Sequence, residues 1–487
     1  MRDLSILLVL AMLLGCASSV ARAGSPKLAS SVAQVRSLVD SAYGGARLRS
    51  LKTVSISTDR RLAWPGQGQS ATFVEFATDK QVKHFDLRKR QGSVERWIHQ
   101  TGSVYHDRFV VDGRGAHRVD YALMTVSDVP KQTYASAFAG DFRFSDLLLA
   151  HHVVTHADAV SGAKPVTYLG RRHHRLAVRM AAEEKPFDVY VDAETGLLTR
   201  VEIQRPFGLV NVIFSRHARS DGVRYAKENR SFLGDRLVEY DTDCTVTVNQ
   251  DIGAAIRVEE SLRPAPEMVD TSTMTVDRLG PDLYLVGRDD YSLFVEHAGR
   301  FIAVSTYAGF GARVDALGAE LGRDIELSDV IVTQHHDDQL AGVEEAVKRG
   351  ASLWVTGEAR KVLAATSRAE GAAVRVLAEE QSIGPLTVFV RATGHAQESA
   401  FVFHERRGVL FQDLYHALYR NRANWAQPTA IAMHRMLVEW SWPVRVLVSG
   451  HGRKAEAWSA FEAAVERSAP RPMCPSQREI CQELFLR

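Results

Sequence analysis

The sequence predicts an α+β protein in two parts, a mostly antiparallel β region followed by a mixed region of strands and helices. Three observations carry this. From residue 51 to about 260, short runs of alternating or apolar residues are separated by turn signals, as in antiparallel sheets. Around Leu262, Arg263, Pro264, Ala265 and Pro266, two prolines two apart mark an extended connection. After it, three successive strands give way to helices alternating with strands. A chain of 487 residues also exceeds what one hydrophobic core usually holds.

Taken in order, residues 1–23 read as a leader. An apolar run over 4–17 precedes Ala21, Arg22 and Ala23, an A-x-A cleavage pattern. The run is shorter than the ~20 residues that a membrane-crossing helix needs. Leu13, Leu14, Gly15 and Cys16 resemble a bacterial lipobox, with Cys16 as the lipidated residue. The two outcomes are a released periplasmic protein and one tethered to a membrane through Cys16, and the sequence leaves both open. Membrane contact is expected only through that anchor.

Residues 25–50 are expected to be helical, because Val32, Val35, Leu38 and Val39 recur at three- and four-residue spacing. Strands are expected over 71–76 and 106–111. The clearest hairpin joins 187–191 to 197–203 through Asp192, Ala193, Glu194, Thr195 and Gly196. Further strands are expected over 210–214, 223–229, 237–240 and 245–248. With this hairpin, the β region (25–260) resembles the half-barrel domains of periplasmic lipoprotein carriers. No cluster of catalytic residue types stands out here. His151 with His152, and His173 with His174, are adjacent pairs expected on opposite faces of strands, in packing or solvated roles.

Composition narrows the function. The chain carries 60 basic and 58 acidic side chains, a net charge of +2, which provides no electrostatic reason for a nucleic-acid partner. Cys474 and Cys481, in the tail 471–487, are close enough to form a disulfide in an oxidising compartment or to remain thiols. Cys244 is expected as a buried strand residue.

The chemistry-bearing stretch lies beyond the connection (261–272), in 273–470. Ile331, Val332, Thr333, Gln334, His335, His336, Asp337, Asp338, Gln339, Leu340, Ala341 and Gly342 run from an apolar strand through a polar turn into a helix. In an extended segment, residues i and i+2 face the same side, so two side chains so spaced can hold one ion. This stretch resembles the T-H-x-H-x-D-H-L-x-G motif of the metallo-β-lactamase superfamily. Three later segments match it in order: Thr393-Gly394-His395, Gln412-Asp413 after an apolar strand, and Gly450-His451-Gly452. The resemblance covers about 200 residues and implies a four-layer αββα sandwich.

It further implies metal ligands at His336, Asp338, His395, Asp413 and His451, with Asp338 also the expected catalytic residue. Gln334 and Gln339 stand where the motif has its first and last histidines, and a neutral amide oxygen is a far poorer zinc ligand than imidazole. Each half of a two-ion site thereby loses a donor. His335 and Asp337, at variable positions, are expected to point elsewhere. Tyr307, Ala308, Gly309 and Phe310 replace the motif's Asp-containing turn. The first reading is an exported hydrolase of an ester, amide or phosphoester, with one ion of zinc, or iron, held by two histidines and a carboxylate. The alternative is a metal-poor protein whose crevice binds a ligand or partner. Arg420 and Asn424, after Asp413, are expected to line the mouth of the site against a small-molecule substrate.

Overall fold

The computed structural model describes residues 31–100, 103–121, 123–181, 185–206, 208–265, 272–413, 426, 428–451 and 455–468. The leader, Cys16, Arg420, Asn424, Cys474 and Cys481 lie outside them. No helix among the described residues is long and apolar enough to cross a membrane.

The first helix, Val32–Tyr43, forms because Ser31 caps it, its side chain accepting the Gln34 amide N–H while the Gln34 side chain returns to the cap. It buries Val35, Val39 and Tyr43. A second helix, Asp146–Thr155, largely apolar and buried, packs beside it. Around these helices runs one 14-stranded sheet, ordered from Arg263–Pro264 and Thr125–Asp128 at one end to Arg171–Val178 and Val160–Tyr168 at the other. Its neighbours are antiparallel apart from Arg263–Pro264, which lies parallel to Thr125–Asp128. One core cluster gathers Val54, Val111, Val160, Val178 and Val223 together with the helix side chains. The sheet therefore curves around its helices and does not extend as an open sheet of that width.

The expected hairpin forms as Phe187–Asp192 and Leu198–Arg205. The Asp192 carboxylate accepts the Glu194 and Thr195 amides, and Gly196 takes the left-handed conformation at φ 73°. Cys244 is buried in Arg236–Val248 with its Sγ 3.3 Å from the Thr58 hydroxyl.

Three expectations are corrected. The extended residues Arg263 and Pro264 join the large sheet instead of running free. Residues 71–74 are a loop, because the strand starts only at Glu75 and Phe73 is 77% exposed. His151 and His152 lie on the helix Asp146–Thr155 and not on a strand, since the apolar run 147–150 is buried between the helix Val32–Tyr43 and the sheet.

His151 borders a cavity of about 520 Å³ with His152, His156, Tyr134 and Phe142. Burial drives the His151 imidazole down from 6.5 to about 4, with His156 and His152 adding repulsion to its charged form. The unfolded chain takes up this proton first as pH falls, so stability is full above the unfolded value and declines as pH drops towards the folded one. His151→Leu is expected to flatten that decline by roughly 1–2 kcal/mol, a figure discounted for the ring's residual solvent contact. Urea midpoints at pH 7 and pH 4.5 measure it, and parallel curves for the two proteins would refute it.

The C-terminal part is built from two sheets face to face. The first is ordered Thr275–Gly280, Leu283–Arg288, Asp290–His297, Arg300–Val304, Leu327–Val332, Ser352–Val355 and Val374–Val376. The second runs from Glu380–Ile383 through Leu386–Arg391, Ser399–His404, Val409–Phe411 and Val446–Val448 to Glu456–Ala457. Period-2 alternation sends Leu283 and Leu285 into the core between the sheets, and Tyr284 and Val286 outward onto the helices Phe310–Leu321 and Val343–Lys348. Both faces being covered, the strand reads as a continuous apolar run. The second sheet is covered by Pro428–Glu439 and Trp458–Ser468. The arrangement is αββα.

Candidate functional site

The motif residues emerge from the ends of strands in both sheets: 334–338 after Leu327–Val332, His395 after Leu386–Arg391, Asp413 after Val409–Phe411, and His451 after Val446–Val448. A strand ends where polar side chains are needed, and the apolar strand behind each one anchors it. The result is a buried polar crevice in which His336, His395, Asp413 and His451 are at most 8% exposed.

Two groupings form. His336 and His395 lie edge to face with ring centroids 4.5 Å apart. Burial, followed by the neighbouring His395 and His335, lowers the His336 imidazole to about 3 and keeps it neutral. In the second grouping, His451 donates from Nδ1 to Asp290 and from Nε2 to Asp338, both at 3.0 Å. Burial opposes charge on His451, but the hydrogen bonds to Asp290 and Asp338 and the charge of Asp413 outweigh it and raise the imidazole to about 10. Asp338 is held below its ordinary value: burial opposes this, and the His451 and Gln67 hydrogen bonds prevail.

Asp413 lies close enough to the second grouping for its charge to act on His451, and its own hydrogen bonds go to hydroxyls. It accepts the Tyr307 hydroxyl on one oxygen, and the Thr333 hydroxyl at 3.1 Å and the Ser305 hydroxyl at 3.4 Å on the other. Burial raises it to about 6 against the pull of His451. The Tyr307 ring lies edge-on to His451 at 5.0 Å, and Arg313 holds the Tyr307–Ala308 turn by donating to both carbonyls. The Gly450 backbone passes so close to the Tyr307 hydroxyl and Asp413 that a Cβ there has no room.

The two glutamines are fully buried. Gln334 Oε1 accepts the Ser399 hydroxyl at 3.4 Å, and Gln339 Oε1 shares with Asp413 the hydroxyl protons of Thr333, 3.3 Å away, and Ser305. Their Nε2 atoms are buried without hydrogen-bond partners among the described residues.

The fourth wall comes from the other part of the chain. The turn between Thr53–Trp64 and Glu75–Asp86 reaches into the crevice. The Gly68 carbonyl accepts both the His335 and the His336 Nε2–H at 3.0 Å, and Gln67 donates to Asp338 at 2.9 Å. His335, expected to point elsewhere, therefore converges with His336 on one oxygen. A helix begins at Asp337, which turns the chain sharply enough to bring adjacent histidines together.

These contacts test the metal expectation on the donor set itself. Each His336 or His335 Nε2 carries a proton towards Gly68, both His451 nitrogens are committed to carboxylates, and the oxygens of Asp413 are taken by hydroxyls. Among the described residues no three His, Cys, Asp or Glu side chains converge to hold an ion. As arranged, the residues do not fit the metal. Tyr307, Asp290, Gln67 and Gly68 escaped the sequence reading as site residues. Tyr307 stood out only as a departure from a motif, and nothing local marks a turn some 270 residues upstream of the crevice that it enters.

No protein-family model and no curated protein matches the chain. Among solved structures, it is similar to the DIM-1 metallo-β-lactamase at 14% identity and TM-score 0.32, covering 41% of this chain and 98% of that one. It is similar to a metallo-β-lactamase from Hirschia baltica at 14% identity and TM-score 0.32, covering 40% and 96%. To FIM-1 from Pseudomonas aeruginosa in its mono-zinc form the likeness is 16% identity and TM-score 0.31, covering 41% and 96%. The two facing sheets, their outer helices and the four motifs in order make the C-terminal part a metallo-β-lactamase-type αββα fold.

Proposed function

We propose that the chain is an exported envelope protein that uses this fold to bind a ligand or partner without hydrolysing it. One observation carries the reading: the atoms expected to hold an ion are engaged by the protein's own groups, Tyr307 on Asp413, Gly68 on His336, and two carboxylates on His451. Taking a metal would break these internal hydrogen bonds, of which those between His451 and its two carboxylates, as bonds between charged groups, contribute about 1.5–3 kcal/mol each. The leader read over 1–23 supports a periplasmic place, free or tethered through Cys16.

A second reading is a hydrolase with a single zinc or iron ion. The contact of His336 with His395, in the same crevice as Asp338, favours it. Metal content of the purified protein after zinc or iron supplementation decides between them. Less than about 0.2 ion per chain is expected. One ion per chain, lost in His395→Ala together with turnover of ester or phosphodiester substrates, would overturn the binding reading.

A further inference from the structure

The turn that enters the crevice is bound there as a peptide. Three of its carbonyls are met by donors: Gly66 by the Asp337 amide at 3.0 Å, Gly68 by His335 and His336, and Gln69 by the Gln397 amide at 2.8 Å. The Gln69 side chain donates to the Gly394 carbonyl at 3.1 Å. On the far side, the buried Glu358 carboxylate accepts the Ala71 amide at 2.8 Å and the Ser70 hydroxyl at 3.2 Å. Donors meet carbonyls and a carboxylate meets an N–H, so the crevice engages backbone, and the side chains of Gln67, Gln69 and Ser70 add further contacts. Small residues at 66, 68, 70 and 71 allow that approach.

The same turn has little else to hold it. Of residues 65–74 only Gly68 is buried, and Phe73 and Val74 are exposed. Phe73 and Val74 do not anchor it, and polar contacts hold it in place. Their sum favours the seated turn, so the lifted form is a minor state reached by local opening.

We propose that residues 66–71 are a built-in occupant of the crevice, standing in for a glycine-containing peptide turn that the crevice takes when its own turn lifts. The inference rests on the binding reading above and names its ligand class. His335 and His336 recognise one ligand carbonyl, and Glu358 recognises an N–H further along the same peptide.

The test uses the full chain with a chelator present, so that the result does not depend on metal. Diethyl pyrocarbonate modifies accessible imidazoles, and mass spectrometry of the peptide carrying His335 and His336 gives the rate. A variant with 66–72 replaced by Asn-Gly is expected to react at least about 10-fold faster than the natural chain. Gly66→Val provides a second route without a deletion: Gly66 has φ 71°, a left-handed conformation that a β-branched residue resists, so the seated turn is disfavoured and the rate rises. At about 10 mM, the effective-concentration scale of a tethered segment, acetyl-Gly-Gln-Gly-Gln-Ser-Ala-amide is expected to restore protection to the shortened variant. An equal concentration of glycinamide and glutamine is expected not to. Equal rates in the natural chain and in both variants would overturn the occupant, and failure of the peptide to protect would overturn the ligand class. A bound ion in the metal assay would refute the binding reading and leave these rates as they stand.

Discussion

Replacing Gln334 with histidine is expected to tighten zinc binding by about 100-fold, because it puts imidazole where the crevice now offers a neutral amide. Gln334 sits at the end of Leu327–Val332, fully buried, two residues before His336. With His336 and His395 it would complete a three-nitrogen set. The change costs little in the apo protein, since the Gln334 Nε2 is buried without a partner among the described residues and only a 3.4 Å contact to Ser399 is lost. The comparison is best made with the turn 66–72 shortened in both proteins, because Gly68 competes for His336 Nε2. Competition with a chromophoric chelator measures the affinity. A 100-fold gain corresponds to about 2.7 kcal/mol, and affinities within threefold of each other would show that the three side chains do not converge.

The second large effect lies in the N-terminal sheet. Arg60 and Asp241 are cross-strand partners, joined at 2.6 Å, and Asn229 also donates to Asp241. Both ions are nearly buried, at 8% and 3% exposure. Burial favours the neutral forms, and the pairing outweighs it, raising Arg60 above its ordinary value and lowering Asp241 below its own. Asp241→Leu leaves a buried guanidinium with Glu239, 3.1 Å away, as its remaining close carboxylate. A loss of about 3 kcal/mol is expected, the low end of the range for breaking a buried pair because Glu239 stays. Arg60→Met with Asp241→Leu is expected to recover most of it, since matched apolar side chains replace a buried pair with little penalty. Urea unfolding measures both. A single variant within about 1 kcal/mol of the natural protein would mean that the pair is already well solvated.

Much of the fold was legible because apolar periodicity is a local property. The run 283–286 and the turn Asp192–Gly196 declare strands and a hairpin from neighbouring residues alone. The run 147–150 was not legible, since four apolar residues in a row fit a buried helix as well as a buried strand. The site was half legible. Its polar residues follow apolar strands at recognisable spacings, but spacing does not say which way a carboxylate turns. Asp413 turns to Tyr307, Thr333 and Ser305 because those hydroxyls line its end of the crevice.

The sequence by itself determined the two-part α+β plan and the loss of a strong donor at Gln334 and Gln339, since each depends on residue type and short-range order; the sandwich expected over 273–470 was implied by the family resemblance of the motifs. Only the tertiary structure decided what the crevice became. The Gly68 carbonyl reaches His335 and His336 across 267 and 268 residues of chain. His451 gains its charge from Asp290 and Asp338, which lie on two further segments. Hydrogen bonds and charges act through space over a few ångströms, and no spacing along the chain encodes a contact between segments that only folding brings together.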